Sequence, residues 1–323
     1  MSASHKPLPP YVSKKRPLTG HVLEFMRDRQ GLLHRGVHEH GHAFAVKLAN
    51  KNAAVLIGPD HHQTFFGETD KSLRLDKSYQ FLKAMFGEIG FAAPPDVYKK
   101  QRPILLEPFK GHKMPRYLEV MQSETQLWLD SLPDHGELEL TEAFNHLVQN
   151  IAGHALMGKD FHDSVGREFW DLYEDLSASI DVLLPPNLPI PKFRRRDRAK
   201  KKMRAILNPI LHERRAHPEK YDDFLQTFVN QRYKDGREVE DDVIIGLIVG
   251  LMFAGHETTA GQGAWTLIQI LQHPNYQHLV EREITQTLSP KDPINGPALA
   301  SLPHLAWALK ETERLRPSAD LLM

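Results

Sequence analysis

The stretch DDVIIGLIVGLMFAGHETTAGQGAWTLIQILQHP, residues 241–274, decides the fold. Asp241 and Asp242 stand in a first turn, where the helix dipole favours negative charge; His273 stands in the last turn, and Pro274 stops the run. It reads as one helix, close to 50 Å long at about 1.5 Å per residue. Its first half is apolar on every side, as in a buried helix. The middle breaks that pattern with Ala254-Gly255-His256-Glu257-Thr258-Thr259-Ala260-Gly261. Small residues let another group approach the backbone, and Glu257 and Thr258 set a carboxylate beside a hydroxyl at expected core depth. A buried acid is costly unless it is hydrogen-bonded or put to use, so the residues favour a functional cluster, with a structural kink as the alternative.

Working outward, residues 309–317 read Leu-Lys-Glu-Thr-Glu-Arg-Leu-Arg-Pro. Glu311 and Arg314 are three apart on a helix and can pair, and Glu313 with Arg316 fits the same frame. Leu305, Ala306, Trp307, Ala308 and Leu309 precede them and predict a helix buried on much of its surface, with an internal charge pair. Further helices are expected at 115–131, 141–157, 165–180, 194–215, 222–233, 276–288 and 302–315. Near the start, alternation over 43–48, a polar Asn50-Lys51-Asn52 turn and an apolar run over 53–57 signal a β-hairpin. The expected architecture is mainly α with a small N-terminal sheet. Residues 1–17 read as a flexible proline-rich tail, and 18–323 as one domain without repeats or an internal seam.

Composition narrows the function. The 323 residues carry 41 basic and 41 acidic side chains, so no global field draws the chain to nucleic acid or anionic lipid. The absence of cysteine excludes disulfides, thiolate metal sites and a cysteine nucleophile within this chain. No apolar leader opens it, and the longest stretch without a strongly polar side chain, 243–255, is shorter than a membrane span. A cytoplasmic protein without a transmembrane anchor is expected.

Taken together, Ala254-Gly255-x-Glu257-Thr258-Thr259 followed by Glu311-x-x-Arg314-x-x-Pro317 resembles the long central helix and the Glu-x-x-Arg helix of the cytochrome P-450 monooxygenases. The proline phase selects Glu311/Arg314 over the overlapping frame. Leu188-Pro-Ile-Pro-Lys-Phe-Arg-Arg-Arg-Asp197, Tyr233-Lys-Asp-Gly236, and Tyr79-x-Phe81-Leu82 leading to Phe86-Gly87 are similar to segments of the sterol 14α-demethylases, as is the early hairpin. Glu257 stands where those enzymes commonly carry histidine, and matches the wider family instead.

The resemblance implies haem b, its iron held by a cysteine thiolate, with Glu257 and Thr258 as the acid–alcohol pair that binds dioxygen through hydrogen bonds and relays protons. It implies that Ala254 and Gly255 leave room over the ring, that Arg102 in Tyr98-x-x-x-Arg102 pairs with a propionate with help from Tyr79, and that Glu311/Arg314 is structural. Tyr79, Phe81, Leu82, Phe86, Met252, Phe253, Ala254 and Leu321 would line a cavity for a lipophile of sterol size. Electrons would come from a ferredoxin or flavin reductase. The family's haem loop lies beyond the Glu-x-x-Arg helix, and this chain has no cysteine. The expectation is therefore an incomplete, C-terminally truncated fragment, inactive alone, whose haem belongs to the complete protein.

Three other readings stay open. One is a cytochrome P-450 of another substrate class, and another a non-catalytic helical relative. The third is a zinc hydrolase, because His38-Glu39-His40-Gly41-His42 satisfies H-E-x-x-H; Gly41 argues against it, sitting where a helix would stop. The basic run 194–202 reads as a solvated helix face.

Overall fold

The computed structural model describes residues 9–69, 71–289, 294–319 and 321–322. The chain divides into two compact units, Met1–Leu75 and Asp76–Met323, where the sequence shows no seam.

The first unit holds α1 (Val22–Arg27), α2 (Arg29–His40), β1 (Ala43–Leu48), β2 (Lys51–Leu56) and α3 (Pro59–Glu68). Asp28 caps α2 by accepting from the Gly31 amide at 2.8 Å. The antiparallel register runs from Ala43 opposite Leu56 to Leu48 opposite Lys51, so Lys51 and Asn52 belong to the strand rather than the expected turn. Leu32, Phe44 and Val46 close a small core between α2 and the sheet. Val12 joins that core, which corrects the flexible tail over its described part. The Val12 amide donates to the Ala45 carbonyl at 3.1 Å and the Ala45 amide to the Pro10 carbonyl at 2.8 Å. The open edge of β1 needs such partners, and the tail supplies them. Residues 1–8 lie outside the described residues.

α2 also disposes of the zinc reading. It ends at His40, and Gly41 at φ 75° turns the chain into β1, so His42 lies beyond the helical face that carries His38. The Glu39 carboxylate accepts from the amide and hydroxyl of Ser13 and lies 3.8 Å from Arg35. No group of three or more metal-ligating side chains forms among the described residues.

After α4 (Leu75–Ser78), which begins at the seam, the second unit contains α5 (Gln80–Phe86), α6 (Pro95–Leu106), α7 (Met114–Asp130), α8 (Leu140–Met157), α9 (Lys159–Ser177), α10 (Pro191–Ala216), α11 (Phe224–Val229), α12 (Asp241–Gln272), α13 (Pro274–Thr287), α14 (Gly296–Ala300) and α15 (Pro303–Leu315). The sequence places α7, α8, α10, α12, α13 and α15 to within a few residues. α9 starts six residues before its apolar periodicity. α11 starts close to where expected, where Asp223 caps it by accepting from the Gln226 amide at 2.8 Å, but ends four residues early at Val229. α3, α5 and α6 are too short or too polar to show a clear period.

The centre of this unit is α12, packed against α8, α15, α5, α10 and α11. Ile244, Leu247, Ile248 and Met252 enter one core with Phe169, Tyr173 and Leu176 of α9 and Met203 and Leu207 of α10. By length and composition α12 could cross a membrane, but half of its most apolar stretch is buried inside the protein, as in a core helix.

Candidate functional site

α12 turns about 100° per residue, so its polar cluster divides between two sides. His256 and Ala260 are buried, while Ala254, Gly255, Glu257, Thr258 and Thr259 are exposed. The expectation that Glu257 and Thr258 lie at core depth is therefore corrected. Composition indicates an apolar neighbourhood, but among the described residues these side chains stand exposed. A Cβ built on Gly255 would meet nothing within 4 Å.

The Thr258 hydroxyl donates to the Ala254 carbonyl one turn back at 2.6 Å. Such back-bonding competes with the helical ladder and loosens it locally. From beyond α15, the Ser318 hydroxyl donates to the Thr258 carbonyl at 3.0 Å and lies 3.3 Å from Gln262 Oε1. The result is a small-residue step beside an anchored hydroxyl and a solvated carboxylate.

The expected cavity residues separate into two sets. Leu82, Phe86 and Met252 are buried in the core among α5, α9 and α12. Tyr79, Phe81, Phe253 and Leu321 are half-buried and Ala254 is exposed. The Tyr79 and Phe81 rings lie 5.9 Å apart, and Phe86 and Phe253 5.3 Å apart. On α6, Tyr98 is half-buried. Arg102 is exposed, and its guanidinium has no hydrogen-bond or ion-pair partner among the described residues.

Glu311 and Arg314 do pair, through two hydrogen bonds of 2.8 and 2.6 Å, each holding the other's charged form. The pair is not internal, since the two side chains are 57% and 67% exposed; α15 buries Ala308 and Thr312 instead. Exposed pairs contribute little. Glu311→Ala should leave the melting temperature of this chain unchanged within error, and a clear drop would show that the pair supports the unit.

Sequence reasoning missed His256, read only as the variable position beside Glu257. The available signal was a titratable ring at i+4 from the buried Met252, on the side that faces the core.

The candidate site is thus an open small-residue step on a long core helix, with an anchored hydroxyl and an exposed carboxylate beside it. A solved structure, retinoic acid-bound cyanobacterial CYP120A1, shares the fold with a TM-score of 0.80 at 20% identity, over 96% of this chain and 70% of that one. The cytochrome P450 family model matches residues 9–323, and the chain belongs to that family. It is 29% identical to human lanosterol 14-alpha demethylase over 98% of its own length and 63% of that protein's. It is 31% identical to the sterol 14alpha-demethylases of Mycolicibacterium vanbaalenii and Mycobacterium tuberculosis, over 97% of this chain and 71% of each relative.

The family's cofactor is haem iron. The open step at Ala254 and Gly255 suits a flat group lying against α12, and the unpaired Arg102 suits a carboxylate at its edge. With no cysteine among the 323 residues, the chain offers no residue for the axial thiolate.

Proposed function

We propose that this chain contributes the substrate-facing side of a haem-thiolate monooxygenase, similar to the sterol 14α-demethylases. In this reading it acts in the cytoplasm, oxidising a lipophile with dioxygen and electrons from a redox partner such as a ferredoxin or flavin reductase. The observation that carries the reading is the open step on α12, where Thr258 is anchored to the Ala254 carbonyl beside an exposed Glu257. The demethylase relatives support the sterol class. The reading requires a cysteine from further sequence.

When bound, the haem supplies the redox chemistry on dioxygen, and its thiolate ligand favours O–O cleavage. The protein residues handle protons and orientation. Thr258 commits its hydroxyl proton to the Ala254 carbonyl, leaving its lone pairs free to accept, while the Glu257 carboxylate exchanges protons with water. A water on that side can donate to Thr258 Oγ1, so the hydroxyl orients the water through which Glu257 gives or takes a proton. Arg102, with Tyr98 and Tyr79, would hold a carboxylate of the cofactor, and Tyr79, Phe81 and Phe253 would offer apolar contact to the lipophile. Glu311 and Arg314 serve as a structural pair.

The decisive test reads the transcript beyond the codon for Met323. An in-frame, cysteine-bearing haem loop is expected, and its absence overturns the catalytic reading. In the complete protein, the reduced carbon-monoxide complex should show the thiolate-ligated Soret band. Thr258→Ala should let oxygen consumption continue while product per oxygen falls; unchanged coupling refutes the proton role.

A further inference from the structure

His256 is the one strongly buried imidazole beside the acid–alcohol pair, with 5% of its surface exposed. Both ring nitrogens are buried and lack a hydrogen-bond partner, and so does the hydroxyl of Tyr173, itself 1% exposed. The two rings touch, their centroids 5.6 Å apart in an edge-on arrangement, and Trp170 lies 5.2 Å from the imidazole. From α8, the Asn145 carbonyl approaches the ring without reaching good hydrogen-bond geometry.

These orphaned atoms complement one another. A neutral imidazole has one N–H and one lone pair. A neutral ring matches both neighbours, a donor for the Asn145 carbonyl and an acceptor for the Tyr173 hydroxyl, although neither bond is closed in the structure. An imidazolium has two donors and no acceptor; it could donate to the Tyr173 oxygen but would leave the phenol O–H without an acceptor. The groups around the ring are His146 on α8, Tyr173 and Glu174 on α9, and Glu257 on α12. Burial is the largest influence and holds the imidazole below its ordinary pKa, outweighing the pull of the two glutamates toward the charged form. Burial likewise pushes the Tyr173 phenol up, keeping it a donor.

We propose that His256 is a positioning residue: its neutral ring joins α12 to α8 and α9 and thereby fixes the rotation of the turn that presents Ala254, Glu257 and Thr258 to the open flank. The side chain after it must then point about 100° away, out of the core. This deepens the monooxygenase reading by naming what aims the pair. Its test uses no turnover, so either can fail alone.

The experiment follows the ring in the chain labelled with isotopic histidine. His256 should remain neutral, as a single tautomer, well below pH 6.5, the ordinary imidazole value. The unfolded chain then binds more protons than the folded one below that pH, so stability is complete above 6.5 and falls as pH drops beneath it. His256→Phe should abolish this share of the pH dependence. It should also raise amide exchange at Glu257 and Thr258 about tenfold relative to Ile244 and Leu247, and His256→Gln should restore protection. A ring titrating near 6.5, exchange unaltered in the phenylalanine variant, or no rescue by glutamine overturns the proposal. The ring titration is made on the unsubstituted chain and decides alone should the phenylalanine variant not fold.

Discussion

Arg214→Met should lower the stability of the second unit by about 3–5 kcal/mol, the range for removing one partner of a buried ion pair. The Arg214 side chain is 4% exposed and that of Asp223 10%. Its guanidinium donates to both Asp223 oxygens at 2.6 and 2.7 Å and to the Met157 carbonyl at 2.7 Å, and it lies 4.4 Å from the Tyr221 ring. One side chain therefore closes the end of α8, holds the residue that caps α11 and anchors both to α10. Methionine keeps much of the volume but leaves a carboxylate and a carbonyl buried without their donor. In a unit of this size the loss corresponds to roughly 6–20 °C in melting temperature. Arg214→Met combined with Asp223→Asn should recover part of it, because the stranded charge disappears while the cap remains. Urea unfolding with an unchanged slope is the measurement; a midpoint equal to that of the unsubstituted chain would show that the pair contributes nothing.

Gly246→Ala should destabilise by about 1–3 kcal/mol, although alanine is the better helix former by about 1 kcal/mol. A Cβ there would stand 2.4 Å from the Phe86 carbonyl oxygen and 2.9 Å from Ile89 Cγ2. The nearest atom is backbone and cannot rotate away, so the end of α5 must retreat from α12. That movement also pulls Phe86 off Phe253. Gly250→Ala is the control, since the one tight contact of its Cβ would be the tip of Ile89, 2.9 Å away and able to change rotamer, with the Phe86 ring at an ordinary 3.9 Å. Denaturation should therefore separate the two variants, with Gly246→Ala clearly the weaker. Equal midpoints would mean that α5 yields freely.

Much of this arrangement was legible beforehand. The 32-residue α12 carries its start and stop signals in Asp241, Asp242 and Pro274, and the hairpin in its alternation. The Glu257–Thr258 and Glu311–Arg314 motifs indicate the family, which the family match over residues 9–323 bears out. Local signals of that kind depend on neighbours in sequence. The short α3 and α5 lack them, and the tail was misread because its partner, β1, lies some thirty residues away.

What the sequence by itself determined is the hairpin and the long helices, the family and the chemistry of the residues at the middle of α12. Tertiary structure alone decided which of those residues face inward: His256 against Trp170 and Tyr173, with Glu257, Thr258 and the Glu311–Arg314 pair left open to solvent. The reason is that periodicity specifies the angle between side chains on a helix, whereas burial depends on which distant segments are packed against each face.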